Sequence, residues 1–132
     1  MEPSTYATKQ SVNSFFKVPL MPFIRECIIT TLQKNGNAHT APMGVHENDE
    51  QLIIMPYKPS ATLENIKRNG TAALSYTDDV RIYAGYFVGH NDWPTCPTDV
   101  IKGARLQNCL SHSELEVINK TEDKVRPKYF CR

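Results

Sequence analysis

Long apolar runs are missing from this sequence. No stretch approaches the roughly eighteen residues that a membrane-spanning helix requires. The opening M-E-P-S-T-Y also lacks the basic and then apolar order of a secretory leader, so a soluble, cytoplasmic protein is expected. An excess of either charge is missing too. With 15 Lys and Arg against 14 Asp and Glu, the chain carries no general field to attract nucleic acid or an anionic membrane surface, and neither is expected as a partner. Its four cysteines, Cys27, Cys96, Cys109 and Cys131, form no C-x-x-C pair. That spacing fits neither a zinc site nor a dense disulfide scaffold, and reduced thiols are the expectation. There is no G-x-S-x-G elbow and no phosphate-binding P-loop, so hydrolytic chemistry has no support. His90, Asp92 and His112 do not fall at metal-ligand spacing, and no metal is expected.

What is present is a succession of short strand-like runs in a chain of 132 residues, enough for one domain with one core. Residues 1–22 read as an N-terminal extension; its first eighteen mix Ser, Thr, Asn and Lys with only one apolar pair, Phe15 and Phe16. Residues 24–32 are β-branched and strand-like, and Asn35-Gly36 after them is a strong hairpin signal because both residues tolerate positive φ. The returning strand, 38–46, carries Pro42 at its centre. A proline has no N–H for a ladder, so it marks an edge, a bulge or a place where the backbone faces something other than a strand. After a polar turn over 47–50, residues 51–55 predict a third strand.

Pro56 and Pro59 bracket Tyr57 and Lys58, and Ser60 stands where a helix cap belongs. The spacing predicts a short helix over 61–68 closed by Gly70, and a fourth strand over 71–77. Apolar residues at Val80, Tyr83, Ala84, Phe87 and Val88 recur at three and four, predicting a second helix. Residues 89–103 have no period and read as a long loop, in which His90 and Trp93 are expected to pack at the surface or at a subunit contact. Residues 109–119 and 125–131, joined by a charged turn, supply a fifth and a sixth strand. The fold class is mainly β: an antiparallel barrel of Greek-key type, with residues 23–132 as its domain.

One stretch has the chemistry to hold a phosphate. A phosphate monoester needs a fixed cation, hydroxyl donors and N–H groups aimed at one point. Lys58 supplies the charge, Ser60 and Thr62 the hydroxyls, and the start of the 61–68 helix presents its unpaired N–H groups at the positive end of the dipole. Asn65 stands one turn further on. The preceding strand, with Thr40, Ala41, Pro42, Met43 and Gly44, combines small side chains and a soft thioether with available backbone, which suits a planar heterocycle. Tyr57, His39 and Thr40 are the remaining polar groups near that ring. His39 and Thr40 alternate across a strand, so only one can face it, and neither is named as a proton donor.

The segments T-T-L-Q-K-N-G-N-A-H-T-A-P-M-G-V, P-Y-K-P-S-A-T-L-E-N and A-A-L-S-Y-T-D-D, taken in order, resemble a family of unknown function within the FMN-binding split-barrel superfamily. That superfamily also holds the pyridoxamine phosphate oxidases and the flavin reductase-like proteins. The similarity covers residues 24–89 well and the remainder loosely. It implies a homodimer of six-stranded split barrels with FMN at the subunit interface. Lys58, Ser60, Thr62 and Asn65 match the phosphate-side segment, and Ala41, Pro42, Met43 and Gly44 the strand along the isoalloxazine. It also implies a helical region after the sixth strand that this chain lacks, as a fragment of a longer protein would. A link to tetrahydromethanopterin-dependent one-carbon metabolism follows from the same resemblance, with a pterin-related or deazaflavin-related substrate. An FMN-dependent oxidoreductase is the expected function, against a non-catalytic flavin-binding or dimerisation module and a barrel with no cofactor.

Overall fold

The structure is a computed structural model and describes residues 23–48 and 50–132. The expected extension over 1–22 lies outside the described residues. β1 (Phe23–Leu32) and β2 (Ala38–Asn48) form a hairpin whose turn places Gly36 at φ +90°, the conformation that the Asn-Gly pair favours. β3 (Gln51–Ile54) follows, then α1 (Ala61–Asn69), β4 (Thr71–Tyr76) and α2 (Val80–Phe87). β5 (Thr95–Pro97), β6 (Ala104–Leu106), β7 (Ser111–Thr121) and β8 (Lys128–Cys131) complete the order. Six strands close a barrel in the order β1-β2-β3-β8-β7-β4, every pair antiparallel. The expected six-stranded antiparallel fold is thus the observed one.

β1 is buried from Cys27 to Thr31 because both of its faces are covered there. Cys27 and Ile29 point into the barrel with Val45, Ile54, Leu74 and Leu115. Ile28, on the opposite face, packs outside the barrel against Ile82 and Leu106, with Tyr83, Tyr86 and Trp93 around them. α1 closes the interior. Ser60 caps it by accepting from the Leu63 N–H at 3.1 Å, and Gly70, at φ +70°, ends it with its N–H on the Ile66 carbonyl. Between those caps Leu63 and Ile66 turn inward and are almost wholly buried, each burial stabilising the fold by about 1.5–3 kcal/mol.

Three expectations need correction. Residues 89–103 are not a featureless loop: β5 pairs with β6 in a separate two-stranded ribbon over the second cluster, too short at three residues a strand to show a period. β2 extends to Asn48, two residues past its expected end, and pairs onward with β3 through Asn48 and Gln51. β7 begins and ends two residues later than expected, and β8 begins only at Lys128, because Asp123 caps the preceding turn by accepting from the N–H groups of Val125 and Arg126.

Candidate flavin site

β2 is paired with β1 along its whole useful length, from Phe23 opposite Glu47 to Leu32 opposite Ala38, and Pro42 sits in that ladder opposite Ile28. On its other side only His46, Glu47 and Asn48 are paired, all with β3. Among the described residues, therefore, Ala38 to Val45 keep an unpaired strand edge, the setting a mid-strand proline calls for. The residues along it are half-buried from Ala38 to Gly44, apart from the exposed Pro42, and Val45 is buried, as are Ile28, Ile29 and Thr30 of the neighbouring β1. Alternation sends Ala41 and Met43 toward the barrel core, where both pack against the main cluster. Met43 thus presents its flank and backbone to the edge rather than a free side chain. Gly44 is tightly flanked: a Cβ there would stand 3.1 Å from Glu26 Oε2. On the outer face the Thr40 hydroxyl meets the Tyr86 hydroxyl of α2 at 2.5 Å.

Beside Thr40 lies an open groove of about 540 Å³ lined by His39, Asn91, Asp92, Trp93 and Thr95, among others. His39 Nδ1 is buried with no hydrogen-bond partner among the described residues, and burial lowers the imidazole pKa, favouring the neutral ring. Both His39 and Thr40 border this groove, although they alternate along the strand. Trp93 is mainly a packing residue: its ring stacks on His90 with centroids 4.8 Å apart, and its indole N–H donates to the His90 carbonyl at 3.2 Å. Gly85 permits this approach, since a Cβ there would come within 2.6 Å of that carbonyl.

The chain leaves β3 at Ile54 and passes through Pro56, which is buried, to Tyr57 and Lys58, which are exposed. The Lys58 N–H donates to the Val125 carbonyl at 2.9 Å, which ties this segment to the turn before β8. Arg126, from that turn, lays its guanidinium over the Tyr57 ring, 4.2 Å from the centroid, and its Nε–H donates to the Met55 carbonyl at 3.0 Å. Arg126 was not named from the sequence. Its position follows from the barrel closure: with Ile54 opposite Tyr129, the residues just after β3 and those just before β8 must come together. Two cations, Lys58 and Arg126, therefore belong to or contact the segment that leads into α1. One carboxylate accompanies them: hydrogen bonds from Arg126 and Val125, helped by the field of Lys58, hold Asp123 below the usual carboxylate range.

The remaining predicted residues divide. Ser60 is half-exposed and caps the helix. The N–H groups of Ala61 and Thr62 precede the first intrahelical bond, which the Glu64 N–H makes to the Ser60 carbonyl at 3.2 Å. Thr62 and Asn65 are each 3% exposed and lie on the inner side of α1. The Asn65 amide donates to Thr31 Oγ1 at 3.0 Å, and its carbonyl accepts from both terminal nitrogens of Arg68. In this structure Asn65 fastens α1 to β1.

A closed six-stranded barrel, opened along the β2 edge and plugged by a capped helix, is the architecture of the FMN-binding split barrels. The chain belongs to the family described as "Protein of unknown function (DUF447) N-terminal domain", which matches residues 25–132. Solved structures agree on the fold. The 2-nitrobenzoate 2-nitroreductase of Pseudomonas fluorescens superposes with a TM-score of 0.69 at 17% identity, over 100% of this chain and 71% of its own. Flavoredoxin from Methanosarcina acetivorans gives 0.67 at 14%, over 83% and 65%. An FMN-bound protein of Methanosarcina mazei, assigned to the same DUF447 family, gives 0.66 at 18%, over 89% and 62%. The chain thus spans about two thirds of the length of these proteins. Among proteins of curated function, none matches the sequence.

Proposed function

We propose that this chain binds FMN as a homodimer and acts as a flavin-dependent oxidoreductase. The phosphate lies against Lys58, Ser60 and the first-turn N–H groups of α1, with Arg126 as a second cation. The ring lies along Thr40, Ala41, Pro42, Met43 and Gly44. The observation that carries this reading is the unpaired edge of β2 running from Ala38 to Val45, with the exposed Pro42 at its centre. FMN, when bound, supplies the electron and hydride chemistry. The protein's part is positioning: backbone groups of β2 meet the ring edge, and Tyr86 fixes the Thr40 hydroxyl beside it. The groove at His39 and Trp93 is of a size that takes small molecules, and here it receives the electron donor or acceptor. A pterin-related or deazaflavin-related compound is the proposed occupant.

The dimer reading is supported by α2. Val80, Phe87 and Val88 are 75%, 88% and 82% exposed on or just after this helix, the same helix that holds Thr40 through Tyr86. A second copy seated there covers the apolar surface and stands next to the ring. Lys58→Ala tests the phosphate end. It is expected to weaken FMN by roughly 1.5–3 kcal/mol, the range for a hydrogen bond to a charged group, and to leave riboflavin nearly unchanged. Equal weakening of both would remove Lys58 from the site. Loaded protein that accepts no electrons from nicotinamide or deazaflavin donors would return the non-catalytic reading.

A further inference from the structure

A second cationic pocket, of about 280 Å³, lies away from Lys58, between the β1–β2 turn and the last turn of α1. Three basic residues distant in sequence line it: Lys34 from the hairpin turn, Arg68 from α1 and Lys102 from the turn ahead of β6. Its other lining residues are Leu32, Gln33, Gly36, Asn69 and Thr71, so among the described residues no carboxylate lines it. Three cations lining one pocket repel one another, and no described lining residue carries a charge that offsets them. The carbonyl end of α1 accounts for part of this charge. It is worth about half a negative charge, however, against three full positive ones.

Arg68 is also prearranged. Two of its N–H groups are held by the buried Asn65 carbonyl and a third by the Leu32 carbonyl at 3.5 Å, and Asn65 is itself held by Thr31. The adjacent Asn69 is fixed by donating to the Leu32 carbonyl at 2.9 Å. This leaves the Arg68 Nε–H and one terminal N–H without a partner among the described residues, next to two exposed ammonium groups.

We infer that this pocket binds a phosphoryl group, separately from the flavin phosphate and whether or not flavin is bound. Its fixed guanidinium and two mobile lysines suit a compact multiply charged anion, with the planar fork orienting the oxygens and the lysines neutralising them. The group arrives either as free inorganic pyrophosphate or as the diphosphate of a nucleotide.

The test is amide-resolved NMR of the full chain carrying Lys58→Ala, titrated with inorganic pyrophosphate and separately with adenosine diphosphate at physiological salt. Saturable shifts are expected at Gly36 and Thr71 rather than at Ser60 and Ala61. Lys34→Gln and Lys102→Gln should each weaken binding about fivefold, the scale of one partly screened charge contact. Lys67→Gln, which removes the same charge from α1 outside the pocket, should change binding less than twofold. Preference for adenosine diphosphate assigns the source to a nucleotide, and preference for pyrophosphate to the free anion. No saturable shift at Gly36 and Thr71, or equal losses in all three lysine variants, would overturn the site. Because the readout needs no flavin, its failure is separate from any failure of FMN to bind.

Discussion

At the scale of single residues, titratable groups sort into those that fasten the fold and those that face solvent. Glu114 is the clearest fastener. One carboxylate receives the N–H groups of Asp99, Val100 and Ile101 at 2.7 to 2.9 Å and pairs with His112 Nε2 at 2.8 Å. Burial pushes its pKa up, but these hydrogen bonds outweigh burial and hold it at about 2. The proximity of Asp99, His112 and Glu114 has the look of a metal-ligand set, yet both Glu114 oxygens are occupied by the turn they organise. A carboxyl depressed on folding contributes stability that is complete above its ordinary value near 4.5 and disappears as pH falls toward 2. Chemical denaturation across that range should therefore show a falling stability in the native chain and a shallower fall in Glu114→Gln. Equal slopes would deny the depressed pKa. The thiols divide likewise: burial pushes Cys27 and Cys131 up to about 12, whereas Cys96 and Cys109 are half-exposed. An aromatic disulfide reagent should label two thiols quickly in the native protein and all four only after unfolding.

At the scale of elements, α1 links stability to the proposed site. Ser60→Ala removes the cap and is expected to cost about 1 kcal/mol by thermal denaturation. Asn65→Ala strands the Thr31 hydroxyl and loosens Arg68, with an expected cost of about 1–3 kcal/mol. If Asn65→Ala instead left stability intact and weakened FMN alone, its role would be contact with the phosphate. The sequence carried this element almost completely, because its cap, inner stripe and terminal glycine are local signals. The β1–β2 hairpin was legible for the same reason, through Asn35-Gly36. The β5–β6 ribbon was not. Its three-residue strands have no period, and their pairing depends on packing over Ile28 and Leu106 that no local pattern announces. Arg126 was hidden differently. It reaches Tyr57 only because the last strand closes against the third, a relation between residues 71 apart in the case of its bond to Met55.

At the scale of the whole molecule, the proposed flavin site draws on one strand edge and one helix start, both carried by the same closed barrel. Of the three settings that Pro42 allowed, an edge, a bulge or a backbone facing something other than a strand, the structure shows the edge, and which side chains of β2 turn inward is fixed by the barrel: Met43 goes to the core and Thr40 to Tyr86. The exposed apolar residues of α2 predict self-association. Sedimentation equilibrium should give a dimer, and Phe87→Glu with Val88→Glu should shift it to monomer while weakening FMN. A monomeric native chain with undiminished FMN affinity would detach the interface from the site. No helix among the described residues is long and apolar enough to cross a membrane.

Titration of FMN and then riboflavin into the purified chain by calorimetry tests the central claim most directly. Saturation near one FMN per chain, with riboflavin bound at least about tenfold more weakly for want of a phosphate, is the predicted result. Failure to take up FMN, or equal affinity for the two flavins, would contradict it.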